Sequence, residues 1–127
     1  MKPEELKYAE THEWVSVTDG VATIGISDFA VKQLTDLVFM ELPEVGATLA
    51  AGDSIGEIES VKAVSDMYSP VAGEVVEVNS SLPDQLETLS TDPYGAGWVV
   101  KIKIADEAGL EKLMDHAAYT KQCAAEG

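Results

Sequence analysis

The chain contains no arginine. Its cations are lysines, 8 in all against 23 acids, and the net charge is −15. Phosphate contacts need clustered cations, so nucleic-acid binding is excluded as a main activity. A field of this sign steers cationic partners, and it equally keeps a small protein in solution. Cysteine occurs once, as Cys123, so no intrachain disulfide and no Cys-x-x-Cys metal pair can form, and no metal is expected. A reducing, cytoplasmic setting fits that usage. No run of about 18 apolar residues occurs, so no membrane span is expected. The stretch Met1-Lys2-Pro3-Glu4-Glu5 lacks the apolar core of a signal peptide. Nucleotide fingerprints are missing too. Gly95-Ala96-Gly97-Trp98 lacks a third glycine and leads toward a strand, so it reads as a turn. No Gly-x-Ser-x-Gly elbow and no Ser/His/Asp order appears. The histidines are His12 and His116, far apart in sequence and both expected at the surface. A local polar role stays open for His12, between Thr11 and Glu13.

What is present is the material of a small β-rich globule. A chain of 127 residues, 46% hydrophobic, can bury one core, and the expectation is a single domain over residues 1–127. The mean hydropathy of +0.02 argues against disorder. Strand character runs from Lys7 to Val17 around Tyr8, Trp14 and Val15. Val21 to Ile26 alternates, with Ala22, Ile24 and Ile26 on the apolar side. Ser27 reads as a helix N-cap, and a short helix through Phe29, Ala30 and Leu34 follows. Val38 to Leu42 is a strand ended by Pro43, and turns fall at Glu44-Val45-Gly46 and Ala51-Gly52-Asp53. Ser54 to Val61 and Ala63 to Tyr68 form a hairpin. Ala72-Gly73 reads as a turn into the strand Glu74 to Val78. Asn79 to Ser90 is a loop or helical turn. Trp98 to Ile104 sets Val100, Ile102 and Ile104 against Lys101 and Lys103, the mark of a half-buried strand. Asp106 reads as the cap of a last helix that docks through Leu110, Leu113, Met114 and Ala117, with a fraying tail from Tyr119 to Gly127. The fold class is mainly β: a flattened barrel or sandwich of short antiparallel strands, with a short helix in the N-terminal half and a C-terminal helix.

The hairpin reverses near Val61-Lys62, where turn-forming residues are missing. Hairpin tips usually carry Asn-Gly, Asp-Gly or a glycine pair, because positive φ costs those residues little. A β-branched side chain beside one amine makes a poor turn and a good display of that amine. Lys62 therefore reads as the attachment point of a covalent cofactor. A free lysine has a pKa of roughly 10.4 and is a poor nucleophile at neutral pH. It could form a Schiff base only if buried, which a hairpin tip is not. Acylation by a second enzyme needs only reach and shape, and it removes the charge. A group on a long tether can then visit several enzymes at high effective concentration.

The stretch Gly56 to Val75, with Glu59-Ser60-Val61-Lys62-Ala63 followed by Ser69, Pro70, Gly73 and Glu74, resembles the lipoyl-lysine region of the glycine cleavage H-protein family. Tyr8, His12-Glu13-Trp14, Thr23-Ile24-Gly25-Ile26, Leu42-Pro43-Glu44-Val45-Gly46 and Pro93-Tyr94-Gly95-x-Gly97-Trp98 resemble further family segments. The resemblance implies the lipoyl-domain fold, a barrel-sandwich hybrid, and a non-catalytic carrier. Lipoate would be amide-linked to Lys62, with Glu59, Ser60, Val61 and Ala63 as the recognition hairpin. The lipoyl disulfide would accept an aminomethyl group from glycine, at a pyridoxal-phosphate glycine decarboxylase. An aminomethyltransferase using tetrahydrofolate would take it on, and an FAD-containing dihydrolipoyl dehydrogenase would reoxidise the dithiol. A lipoyl-transferring enzyme completes the partners, and a monomer is expected. The loaded arm would fold into a surface cleft, where Glu13 and Asp66, with Thr11, match the positions that hold its amine by a charge-assisted hydrogen bond.

The chain departs from the family pattern at Thr35, where glycine is common, at Phe29, where histidine is frequent, and over Leu86-Glu87-Thr88-Leu89-Ser90. Four alternatives compete. A lipoyl domain of a 2-oxo-acid dehydrogenase commonly has Asp-Lys-Ala at the tip, but Val61 stands here; a biotin carrier would have methionine beside the lysine. An H-like paralogue could relay lipoate or regulate another partner. An enzyme using Glu57 and Asp66 as acid and base would need a substrate pocket beside the tip.

Overall fold

The computed structural model describes residues 3–9, 11–34, 36–61, 63–106 and 113–126. Nine strands form two antiparallel sheets among these residues. The larger sheet has the order β1 (Lys7–Tyr8), β2 (Glu13–Thr18), β3 (Val21–Ile26), β9 (Val100–Asp106), β8 (Ala72–Val78), β5 (Thr48–Leu49). The smaller has the order β4 (Leu37–Glu41), β6 (Ser54–Ser60), β7 (Val64–Tyr68). The α-helices among these residues are α1 (Asp28–Leu34), α2 (Glu87–Thr91) and α3 (His116–Glu126).

Alternation along the central strands builds the core. Val15, Ile24 and Val100 stand opposite one another across β2, β3 and β9, and Ala22, Ile102 and Val75 make the next row. All six are buried. From the smaller sheet, Met40 and its cross-strand partner Ile58 are buried in the same cluster, as are Ile55 and Met67. Each such side chain contributes about 1.5–3 kcal/mol on leaving water. Lys101 and Lys103 face outward opposite Glu77 and Glu74, as the alternation predicts.

A second cluster lies beneath α3. Tyr8 and Tyr119 stack with centroids 4.4 Å apart and planes 5° apart. Leu6 and Trp14 are buried with them, and Tyr94, Trp98, Met114 and Cys123 pack around. Trp14 lies across its partner Gly25, where an added Cβ would sit 2.5 Å from the indole. Its Nε1–H donates to the Pro93 carbonyl at 2.9 Å.

Several expectations need correction. Ala72-Gly73 is not a turn but the start of β8, at a register shift. Gly73 is required there because a Cβ would fall 2.1 Å from the Lys103 carbonyl oxygen. Asp106 ends β9, and the helix expected beyond it falls on residues outside the described ones. The cap of α3 is Asp115, whose carboxylate accepts the Ala118 N–H at 2.8 Å. Met114 forms a β-bridge with Tyr8, and Ala117 is exposed, so neither docks the helix through its helical face. Leu110 lies outside the described residues. The 119–126 segment is helical rather than frayed, and Tyr119 is its buried anchor. Lys7 to Val17 is two strands, because a turn at Thr11-His12 divides it. His12 takes φ 79°, a left-handed conformation that costs a non-glycine residue roughly 1–3 kcal/mol. Neither histidine is a free surface residue. His12 is half-buried against Phe29 and Tyr119, and His116 is half-buried beside Tyr8.

Candidate functional site: a hairpin tip beside a cleft

The pairs Glu57↔Asp66, Ile58↔Ser65 and Glu59↔Val64 bring the β6–β7 hairpin to its tip. Ser60 closes the turn with both backbone and side chain. Its N–H donates to the Ala63 carbonyl at 2.8 Å. Its hydroxyl accepts the Ala63 N–H at 3.1 Å and donates to the Ala63 carbonyl at 3.3 Å. The side chain thereby supplies the closure that Asn-Gly usually provides through its backbone. Among the described residues, the non-glycine ones with positive φ are His12 and Asp19, so Val61 makes its turn without left-handed backbone. The Val61 N–H donates to the Asp36 carbonyl at 3.0 Å, which ties the tip to the connection between α1 and β4. Lys62 itself lies outside the described residues. In sequence it falls between the anchored Val61 and Ala63. The Val61 side chain is 73% exposed.

A cleft of about 360 Å³ opens next to this tip, between β7, α1 and the 11–13 turn. Its apolar lining includes Ile26, Ala30, Leu34, Ile58 and Met67. Thr11, Glu13 and Asp66 meet there, from segments more than fifty residues apart in sequence, and Ala63 joins them from the hairpin. Glu59 and Glu57 stand elsewhere, on β6, and do not line the cleft. His12 does line it, although only its place beside Glu13 in the sequence hinted at that.

Glu13 is the chemically distinctive group. It is only 3% exposed, yet it is among the residues that line the cleft. Burial raises its pKa from the ordinary 4.5 to about 7. Hydrogen bonds from the Thr11 hydroxyl and from the backbone amides of Tyr68 and Glu13 pull it back only in part. Such a carboxyl gains most from an arriving cation, which would supply the charge partner that burial makes worthwhile. Asp66 is exposed at the rim, with the Tyr68 hydroxyl 3.4 Å from its carboxylate. Thr11 orients Glu13 rather than standing apart from it.

Two antiparallel sheets packed face to face, with a hairpin tip beside an apolar cleft, make the barrel-sandwich hybrid of the lipoyl-domain proteins. The profile of the glycine cleavage H-protein family matches residues 6–126. The chain belongs to the glycine cleavage H-protein family. It is 58% identical over 129 aligned positions to the glycine cleavage system H protein of Rhodopirellula baltica, covering 98% of this chain and 97% of that one. The H protein of Marinobacter nauticus is 55% identical over 125 positions, with 98% and 96% covered. The crystal structure of a glycine cleavage system H protein from Mycobacterium marinum superposes with a TM-score of 0.89 at 40% identity, covering 97% of this chain and 99% of that one.

Proposed function

We propose that residues 1–127 form one lipoyl-carrier domain of the glycine cleavage system, modified on Lys62. The protein serves as a carrier component and not as an enzyme of its own. The observation that carries this reading is the pairing of a braced hairpin tip with a cleft whose inner end is a buried, protonatable carboxyl. The residues fit a lipoyl arm. The cleft volume of about 360 Å³ is that of a small-ligand pocket, and its walls are aliphatic with a polar end. When attached, lipoate supplies a disulfide that takes up the aminomethyl unit of glycine and later gives it away.

The chain's own residues do the rest. Ser60 and the Val61–Asp36 contact hold the tip still for a lipoyl-transferring enzyme. Ile26, Ala30, Leu34 and Met67 exclude water from an aliphatic tether. Glu13, with Thr11 orienting it, accepts the protonated amine, and the cation draws the carboxyl into its ionised form. Asp66 adds negative charge at the rim. The partners are a pyridoxal-phosphate glycine decarboxylase, a tetrahydrofolate-dependent aminomethyltransferase and an FAD-dependent dihydrolipoyl dehydrogenase. Lys62→Arg keeps the charge and removes the acylatable amine. Intact-mass measurement after co-expression with a lipoyl ligase is expected to show the lipoyl increment on the parent chain and none on the variant. A lipoyl adduct on the variant would refute the assignment.

A further inference from the structure

The cleft is braced from behind by a residue that is not part of its lining. Tyr119 comes from α3 and is buried, its ring stacked on Tyr8. Its hydroxyl lies 2.7 Å from His12 Nδ1 and 2.5 Å from Ser27 Oγ. His12 lines the cleft and adjoins Glu13 in sequence. Ser27 caps α1, its Oγ accepting the Ala30 N–H at 3.3 Å. The same helix supplies Ala30, Gln33 and Leu34 to the opposite wall. One phenol oxygen therefore ties together two wall segments that have no covalent reason to keep their spacing.

The Ala30 N–H donates to Ser27 Oγ, and the Tyr119 hydroxyl is hydrogen-bonded to both Ser27 Oγ and His12 Nδ1, so the three groups form one continuous chain. Burial of the Tyr119 phenol keeps it protonated and able to donate. The backbone at His12 adds a second reason for a brace. It is held left-handed at φ 79°, and strained residues persist only where their surroundings over-determine them. The Phe29 ring from α1 packs on the His12 imidazole at 5.2 Å, so the same two segments also meet through apolar contact.

We infer that Tyr119 is a positioning residue for the cleft: through His12 and Ser27 it holds the 11–13 turn and α1 at the spacing that keeps the Glu13 carboxyl enclosed. The inference rests on the cleft reading under Proposed function. It assigns the C-terminal helix a part in sheltering the arm, at a distance from the hairpin that carries it.

Tyr119→Phe keeps the ring and removes the oxygen, and Thr120→Val removes a hydroxyl of the same helix that donates to the His116 carbonyl. In the unmodified chain, amide exchange at Ala30 is expected to rise about fivefold in Tyr119→Phe, the worth of one hydrogen bond, and to stay near parent in Thr120→Val. In the lipoylated, glycine-loaded protein, intact mass should show the adduct lost about fivefold faster in Tyr119→Phe, with the rate of lipoylation unchanged. Ser27→Ala breaks the same chain from the α1 side and should behave alike. If Glu13→Gln speeds adduct loss while Tyr119→Phe and Ser27→Ala leave both exchange and loss at parent values, the brace is overturned and the cleft stands. If Thr120→Val matches Tyr119→Phe, the effect is general loosening of α3 and the brace is equally overturned. If none of the four variants alters adduct loss, the cleft reading itself fails.

Discussion

Glu13 shows how much a single side chain changes on folding. In the sequence it is one acid among 23, flanked by His12 and Trp14. In the fold it is buried and its pKa rises from 4.5 to about 7. The folded state then holds a proton that the unfolded chain releases over that interval. Stability is full below about pH 4.5 and declines as the pH approaches 7, by up to about 3 kcal/mol. Glu13→Gln removes the titration while keeping the shape. Denaturant unfolding of both chains should show the variant gaining on the parent as the pH rises through this window. A difference that is flat with pH would mean that the carboxyl is solvated after all. The residue type and its place beside His12 were legible from the sequence, and the resemblance picked it out. The perturbation was not, because desolvation depends on β7 and α1 closing over it.

Among the elements, the hairpin and the two terminal segments were read with unequal success. Alternation placed β3 to the residue and found β9 two residues too early, at Trp98–Ile104 against Val100–Asp106, and Ser27 was read as the α1 cap from one residue. The hairpin was also legible, but its closure was not. Val61 and Lys62 looked unsuited to a turn, and the reason they suffice is the Ser60 hydroxyl at Ala63 and the Val61 N–H on Asp36. Ser60→Ala is expected to cost about 1 kcal/mol and to slow lipoylation, since a looser tip spends less time in the shape its modifying enzyme reads. Initial rates with a lipoyl ligase, measured by mass, check this; equal rates for the two chains would remove Ser60 from the recognition role. The C-terminal region was misread for a definite reason. Leu113, Met114 and Ala117 repeat at helical spacing, yet Met114 is taken by a backbone bridge to Tyr8. The buried residue of α3 is Tyr119, and Cys123, one turn on, packs beside it. Periodicity could not reveal that, because the surface receiving α3 is assembled from β1, β2 and the Pro93–Trp98 turns.

For the molecule as a whole, the net charge of −15 dominates long-range behaviour. The Debye length is about 8 Å at physiological salt, so steering between this carrier and a basic partner face weakens as salt is added. Association rates with the proposed aminomethyltransferase partner are expected to fall by about tenfold or more between low and high salt, while dissociation changes little. Stopped-flow measurement across a salt series checks this. A salt-independent rate would leave the acidity as a matter of solubility alone. No described helix is long and apolar enough to cross a membrane. The family match over residues 6–126 takes in β1 and α3 together with the rest of the two sheets.

By itself the sequence determined the β-rich class, the apolar rows, the hairpin and the lysine within it, since these follow from local alternation, turn chemistry and a contiguous motif. Tertiary structure alone decided that Thr11, Glu13 and Asp66 share a cleft, that Gly73 sits in a strand, and that Tyr119 braces a wall it does not line. The reason is physical. Local pattern reports which face a residue turns toward the core, whereas burial of a charge, the approach of a carbonyl and the meeting of three hydroxyl and imidazole groups depend on segments brought together only when the two sheets close.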